Sequence, residues 1–318
     1  MENNDNNVKI FTCNGHPELA AEIAQKLGLQ VADSDVGQFS DGEAFVKINE
    51  TVRGKDVYIV QPTSTPVNNN LMELLIMIDA CRRASAGSIT AVITYYGYAR
   101  QDRKTRARDP ISAKLVADLI ETAGADRVLT MDLHCTQIQG FFDIPVDNLL
   151  GTPILSKYYS EKFKDCVDEI TVVSPDLGSV GRTRAFAEKL EVPLAIIDKR
   201  RPKANVSEIM NIIGDIKGRK VILVDDMIDT AGTICNAANA LKERGATEVY
   251  ACCSHGVLSG PAIERIQNSA IHELVILDTI PITDDKKIDK IKTIPVAPIF
   301  ADAIYRIHEQ LPVSKLFS

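Results

Sequence analysis

The stretch VILVDDMIDTAGTICNAANAL, residues 221–241, decides the fold class. Its first four residues are apolar and predict a buried strand, and a helix-period segment at 233–244 follows its polar centre. That centre holds Asp225 and Asp226 side by side, followed by a loop of small and hydroxylated residues. The loop is Asp229, Thr230, Ala231, Gly232 and Thr233. A strand that leads through a short loop into a helix is the repeating unit of α/β folds.

The same loop predicts an anion site. Small residues let backbone N–H groups approach an anion, threonine hydroxyls add donors, and a helix N-terminus favours negative charge. The carboxylates of Asp225 and Asp226 cannot hold a phosphate, but they suit sugar hydroxyls or a magnesium-bound diphosphate. Together these groups predict a cradle for a ribose phosphate. The alternative is a polar strand-to-helix turn in which Thr233 is the helix N-cap.

Short apolar runs alternate with helix-period segments along nearly the whole chain. The predicted strands are residues 8–13, 56–62, 89–97, 127–133, 170–176, 194–199, 220–226, 248–254 and 273–279. Their continuous apolar character predicts parallel sheets that are covered on both faces. We therefore expect an α/β fold of two similar domains, each a mostly parallel sheet flanked by helices. Gly and Pro in NLLGTP place the boundary between domains 1–150 and 151–318. The segment FSDGEAFVKI, residues 39–48, is the exception and predicts a hairpin.

Composition limits the possible functions. The chain has 318 residues, of which 45% are hydrophobic, so a disordered tail or a small disulfide scaffold is excluded. A net charge of -7 and the absence of Trp argue against a nucleic-acid partner. Neither a signal-peptide pattern nor a stretch of about 18 apolar residues is present, so we expect no membrane partner. The seven cysteines form no CxxC pair, which is typical of a cytoplasmic protein with free thiols.

Polar side chains follow several predicted strands. They are Asp132 and His134, Ser174 to Asp176, Lys199 to Arg201, and Asp225 with Asp226. Ligands of open parallel sheets bind beyond the carboxyl ends of the strands, so these residues are candidate site residues. We expect His134 and Asp176 at equivalent strand ends in the two halves. Each motif also has a plainer interpretation: a structural histidine, a cap, a hairpin turn at 41–43, or solvated basic loops at 100–103 and 199–203.

Taken together, these motifs resemble the ribose-phosphate pyrophosphokinase family, and residues 221–233 are similar to the 5-phosphoribosyl 1-diphosphate motif of type I phosphoribosyltransferases. The resembling segments are FSDGE (39–43), YYGYARQDRK (95–104), DLH (132–134), QIQGFFDIP (137–145), SPD (174–176), IIDKRRP (196–202), VYACCSHGVLSGPA (249–262) and VSKLFS (313–318). They run in order along essentially the whole chain. The resemblance implies the type I phosphoribosyltransferase-like fold. It also implies transfer of the β,γ-diphosphoryl group of Mg-ATP to ribose 5-phosphate.

The resemblance also implies roles for particular residues. The implied catalytic residues are Lys199 and Arg201. The implied ATP contacts are Phe39, Asp41, Gly42, Glu43, Arg100, Gln101 and Asp102. The implied ribose 5-phosphate contacts are Arg201, Asp225, Asp226, Asp229, Thr230, Ala231, Gly232 and Thr233, and the implied Mg²⁺ ligands are His134 and Asp176. The hairpin turn is implied to reach the ATP site of a neighbouring subunit in a homo-hexamer.

Two places depart from the family pattern. After DLH, Cys135 and Thr136 replace what is usually a small residue followed by a polar one. Leu177 follows the SPD motif, where the family commonly has a histidine, and a leucine side chain cannot hydrogen-bond a ligand. A non-catalytic regulatory homologue is therefore an alternative function, although the retained segments 196–202 and 225–233 argue against it. A phosphoribosyltransferase would need neither RQDR nor two domains. A regulator of transcription would need a basic DNA-binding helix, and the sequence shows no candidate for one.

Overall fold

The structure, a computed structural model, describes residues 7–200 and 209–316; at residues 199, 200, 209 and 210 it describes the backbone alone. Contacts group the described residues into two compact units. The first unit contains the described residues within 1–150, 279–281 and 295–318. The second unit contains the described residues within 151–278 and 282–294. The domain boundary at residue 150 stays a prediction, and the contacts group the C-terminal helix with the first unit.

The first unit contains a parallel sheet of five strands. They are β1 (Val8–Thr12), β4 (Asp56–Val60), β5 (Ser88–Ile93), β6 (Arg127–Met131) and β7 (Val146–Leu149), adjacent in the order β1-β4-β5-β6-β7. The helices of this unit are α1 (Pro17–Lys26), α2 (Val67–Arg83), α3 (Ser112–Ala123) and α8 (Ala297–His308). The alternation of strands and helices in the sequence thus produces the predicted parallel α/β arrangement.

Helix α2 shows how the pattern of apolar residues sets the packing. Leu71, Leu74, Ile78 and Cys81 recur at helical spacing and are buried, and Leu75 packs against the same core while partly exposed. Burying a leucine or isoleucine side chain contributes about 1.5–3 kcal/mol, so this stripe fixes α2 on the sheet. Helix α3 ends at Gly124, whose φ of +118° is readily adopted only by glycine.

The predicted hairpin is formed by β2 (Ser34–Gln38) and β3 (Ala44–Ile48), which pair antiparallel. Val36, Val46 and Ile48 pack against the core of the first unit. The turn between the strands is exposed, and Gly42 adopts a φ of +95° there. The hairpin is therefore anchored by one apolar face, and its turn lies outside the core.

The second unit contains a sheet of seven strands. They are β8 (Ile170–Ser174), β9 (Leu194–Arg200), β10 (Ile209–Ile213), β11 (Lys220–Ile228), β12 (Glu248–Gly256), β13 (Ile271–Leu277) and β14 (Ile291–Ile294), in the order β10-β9-β8-β11-β12-β13-β14. All pairs are parallel except that of the edge strand β10 with β9. The helices are α4 (Thr152–Lys162), α5 (Val180–Leu190), α6 (Gly232–Glu243) and α7 (Ala262–Gln267).

The two sheets share a strand order, and this corrects one expectation. The series β1-β4-β5-β6-β7 corresponds to β8-β11-β12-β13-β14 in both chain order and position. Asp176 follows β8, the counterpart of β1, whereas His134 follows β6, the counterpart of β13. The prediction that they occupy equivalent strand ends is wrong. Chain order alone does not reveal where inserted strands such as β9 and β10 enter a sheet.

The basic run at 199–203 begins inside a strand. Lys199 ends the predicted strand 194–199 and belongs to β9, where its backbone pairs with that of Met210. Antiparallel pairing with β10 supplies the hydrogen bonds that extend the strand through Arg200. Residues 201–203 lie outside the described residues.

Within residues 7–200 and 209–316, no helix combines the length and the apolar character needed to cross a membrane.

Candidate functional site

The site in the second unit begins at the end of β11, where the acid pair lies. Asp226 is buried, and Oδ1 of Asp225 accepts a hydrogen bond from the N–H of Asp226 at 2.9 Å. The hydroxyl of Ser179 donates to the same oxygen at 3.3 Å. Burial, and next the adjacent Asp226 carboxylate, raise the pKa of Asp225 from 3.8 to about 7. The pair therefore concentrates negative charge that a cation or a polyhydroxyl ligand would relieve.

The loop of residues 229–233, the predicted phosphate loop, turns the chain from β11 into α6. Ala231 has a left-handed φ of +59° and is the N-cap of α6, so the alternative in which Thr233 caps the helix is wrong. Thr230 and Thr233 are exposed. The first N–H groups of a helix have no partner within the helix, and they are available to an anion. The structure thus brings all five predicted loop residues together beside the acid pair.

Asp176 lies in the turn that joins β8 to α5. Its Oδ1 accepts a hydrogen bond from the N–H of Ser179 at 2.9 Å. The charge of Asp176 contributes to the raised pKa of Asp225, after burial and Asp226. Leu177 is 65% exposed, so this departure from the family pattern places an apolar side chain in solvent rather than in the core.

Two site residues were missed by the sequence analysis. Arg182 on α5 lies 3.4 Å from Oδ1 of Asp226, and Ser179 contacts Asp225 as described above. Arg182 supplies a positive charge to a buried carboxylate, which would otherwise be costly to ionise. The signal available in the sequence was its place in the first turn of the helix after SPD.

The predicted ATP contacts at 100–102 belong to the first unit and follow β5. The carboxamide oxygen of Gln101 accepts a hydrogen bond from the hydroxyl of Ser112 at 2.5 Å, and Arg100 is exposed. Burial raises the pKa of the Cys135 thiol, and a hydrogen bond to Asp102 adds to this shift. This contact between Cys135 and Asp102 brings the 100–102 loop close to the loop that carries His134, the exposed residue before Cys135.

The hairpin turn at 39–43 is held by its own hydrogen bonds. The N–H of Phe39 donates to the carbonyl of Glu43 at 2.8 Å, and that of Glu43 donates to Asp41 at 3.1 Å. Phe39 is 57% exposed, and its ring lies 5.1 Å from that of Phe45. Its predicted contact with ATP stays a prediction.

The predicted catalytic pair falls largely outside the described part of the chain. Only the backbone of Lys199 is described, at the end of β9, and Arg201 lies outside the described residues. Their roles remain predictions.

Comparison with known proteins identifies the family. Residues 8–124 match the model of the N-terminal domain of ribose phosphate pyrophosphokinase, and residues 199–318 match the phosphoribosyl synthetase-associated domain. A ribose-phosphate pyrophosphokinase of Clostridium perfringens is 68% identical over 317 residues, covering 100% of this chain and 99% of that protein. The chain belongs to the ribose-phosphate pyrophosphokinase family.

Two further members of the ribose-phosphate pyrophosphokinase family are also similar to this chain over nearly its whole length. A ribose-phosphate pyrophosphokinase of Bacillus subtilis is 59% identical over 314 residues, covering 99% of this chain and 98% of that protein. The crystal structure of phosphoribosylpyrophosphate synthetase from Mycobacterium smegmatis matches with a TM-score of 0.91 at 45% identity, covering 96% of this chain and 99% of that one. The resemblance, the phosphoribosyltransferase-like α/β fold and the function of a ribose-phosphate pyrophosphokinase, a diphosphotransferase, are confirmed.

Proposed function

We propose that this chain transfers the β,γ-diphosphoryl group of Mg-ATP to the anomeric hydroxyl of ribose 5-phosphate, giving 5-phosphoribosyl 1-diphosphate and AMP. The hydroxyl oxygen forms the new bond to the β-phosphorus and releases its proton. The bond from that phosphorus to the oxygen shared with the α-phosphate breaks. The observation that carries the proposal is the β11–α6 junction, where two carboxylates precede a left-handed turn into a helix N-terminus.

The junction offers the two kinds of contact that ribose 5-phosphate needs. Exposed Thr230 and Thr233, with the N–H groups that open α6, suit the 5-phosphate. The carboxylates of Asp225 and Asp226 suit the ribose hydroxyls, which donate hydrogen bonds. Asp229 is held by a hydrogen bond from the Ser259 hydroxyl and shapes the turn.

The remaining roles concern charge. Diphosphoryl transfer needs positioning and neutralisation of charge more than covalent help from the protein. We assign this neutralisation to Lys199 and Arg201, and we assign ATP binding to Arg100, Gln101 and Asp102. An arginine suits phosphate oxygens because its guanidinium donates paired hydrogen bonds.

Mg²⁺ is the cofactor that we infer. Among the described residues, no group of three or more His, Cys, Asp or Glu side chains is arranged to hold a metal ion. A magnesium ion commonly takes only one or two carboxylates, with water and substrate phosphates completing its shell. Asp176 fits this pattern as an oxygen donor beside the acid pair, and His134 fits less well because Mg²⁺ prefers oxygen. Bound Mg²⁺ would neutralise phosphate charge on ATP.

Two further assignments complete the proposal. A homo-hexamer whose exposed hairpin turn at 39–43 reaches a neighbouring ATP site would explain why that turn protrudes from its core. A cytoplasmic location agrees with the seven cysteines, which are all free thiols.

The test separates two products. Purified protein is mixed with Mg²⁺, ATP and ribose 5-phosphate, and AMP and ADP are separated by chromatography. We expect AMP to form only when ribose 5-phosphate is present. Formation of ADP would contradict the proposed transfer, and binding of ATP without turnover would favour the regulatory homologue.

A further inference from the structure

The backbone of the phosphate loop accepts hydrogen bonds from a segment that the sequence analysis did not assign to the site. Residues 258–265 connect β12 to α7 and form the first turn of α7. The N–H of Leu258 donates to the carbonyl of Ile228 at 3.0 Å, and that of Ser259 donates to the carbonyl of Asp229 at 3.0 Å. Nη1 of Arg265 donates to the carbonyl of Thr230 at 2.9 Å. Three consecutive carbonyls thus accept hydrogen bonds from one segment.

The contact of Arg265 fixes the direction of a peptide plane. In a trans peptide the C=O and the following N–H point in opposite directions. Because the carbonyl of Thr230 faces Arg265, the N–H of Ala231 faces away from α7. Ala231 has a left-handed φ of +59°, a conformation that costs an alanine about 1–2 kcal/mol and therefore needs support from its surroundings.

The guanidinium also places positive charge at the start of α6. A Cβ atom built on Gly232 would lie 3.3 Å from Nη1 of Arg265, so the cation lies directly against the backbone of this residue. A cation beside a helix N-terminus raises the local positive potential and strengthens attraction for an anion. An arginine keeps this charge at every physiological pH.

We propose that Arg265 is a positioning residue for the 5-phosphate of ribose 5-phosphate. It holds the Thr230–Ala231 peptide with its N–H toward the anion and adds charge behind the phosphate loop. This inference rests on the assignment of the 5-phosphate to residues 229–233 under the proposed function. It gives α7, a short helix outside the predicted contacts, a part in substrate affinity.

The experiment compares Arg265→Ala, Arg265→Lys and the control Glu264→Gln. Glu264 is the exposed neighbour of Arg265 on α7, so the control tests a charge change on the same helix. Calorimetry measures the Kd of ribose 5-phosphate without ATP, and AMP formation gives the KM of each substrate. For R265A we expect the Kd and KM of ribose 5-phosphate to rise about 10-fold, with the KM of ATP within about 2-fold of wild type. R265K should recover part of the loss, and E264Q should match wild type.

The outcomes separate the two proposals. Wild-type affinity in R265A overturns the positioning role. An equal rise in both KM values together with a lower Tm overturns it as well, because a merely structural defect is not selective for one substrate. If the wild type binds ribose 5-phosphate but forms no AMP, the proposed function fails, and the calorimetric comparison still decides the role of Arg265. If the wild type binds no ribose 5-phosphate, the positioning role falls too.

Discussion

Two strand-to-helix junctions occupy the same position in their sheets. Residues 61–66 lead from β4 into α2, and residues 229–231 lead from β11 into α6. In the first junction Gln61, Thr63 and Ser64 are buried. In the second, Thr230 is exposed and the acid pair precedes the turn. The same strand-to-helix arrangement therefore carries a buried loop in the first unit and a solvent-exposed loop in the second.

The first junction is filled by its own side chains. The carboxamide of Gln61 accepts from the N–H of Gly15 at 2.8 Å and donates to Oε2 of Glu73 at 3.3 Å. The hydroxyl of Thr63 accepts from the N–H of Gly97 at 2.6 Å. The N–H groups of Gln61 and Thr63 donate to the carbonyls of Val92 and Tyr95, and Pro62 and Pro66 have no N–H to offer. We infer that the exposed turn of the second junction, rather than the strand-to-helix arrangement that both units share, favours the proposed anion site.

Glutamate at position 61 should produce the largest effect. Gln61→Glu places a buried carboxylate beside that of Glu73 and replaces the donor group of the amide. We expect the free energy of unfolding at pH 8 to fall by about 3 kcal/mol, because an unpaired buried charge is costly. Urea denaturation followed by circular dichroism measures this change. The control is Gln30→Glu, which is exposed; a loss under about 1 kcal/mol in Q61E would mean that this junction tolerates charge.

A β-branched side chain at position 231 should close the second junction. Ala231→Val meets a left-handed φ of +59°, which valine adopts only under strain, so the loop will relax away from its binding geometry. We expect the KM of ribose 5-phosphate to rise about 100-fold in the AMP assay. Ala231→Gly, which tolerates this φ, should stay near wild type. Equal behaviour of the two variants would show that the backbone conformation is unimportant.

The acid pair should make the second unit sensitive to pH. The folded-state pKa of Asp225 is raised from 3.8 to about 7, so the stability linked to its protonated form is present below pH 3.8 and is lost as pH rises through 7. Asparagine cannot ionise, so the Asp225→Asn variant avoids the loss of stability that ionisation of Asp225 causes. Its free energy of unfolding at pH 8 should exceed that of wild type by on the order of 2 kcal/mol. Urea unfolding at pH 5 and pH 8, without Mg²⁺ or nucleotide, measures the difference. An advantage of equal size at both pH values would contradict the raised pKa.

Leucine 177 should matter least. Its side chain is 65% exposed, so Leu177→Ser should change the free energy of unfolding by less than about 0.5 kcal/mol. We expect AMP formation to stay within about 2-fold of wild type if the loop needs no side chain here. Leu190→Ser, at a buried position at the end of α5, should be destabilising and serves as the contrast. A large loss of turnover in L177S would assign this position to the site.

The sequence predicted most elements because their signals are local. The apolar runs of the strands, the helix-period segment after residue 232 and the Asp-Gly hairpin each depend on residues that are close together in the chain. The loop of residues 229–233 was equally readable, since its residue types carry the chemistry. Arg182 and Arg265 were missed because each reaches the site from another helix, and no local pattern reports such a contact.

By itself the sequence determined the α/β class through its periodicity and the candidate anion loop through its residue types, and its motifs resemble those of the ribose-phosphate pyrophosphokinase family. Only the tertiary structure decided that Asp176 follows the counterpart of β1 and His134 the counterpart of β13, because strand order depends on which strands pair. It also decided that Ala231 caps α6 and that α7 supports the phosphate loop. These features arise from packing between segments far apart in the chain, where hydrogen bonds and burial rather than spacing set the arrangement.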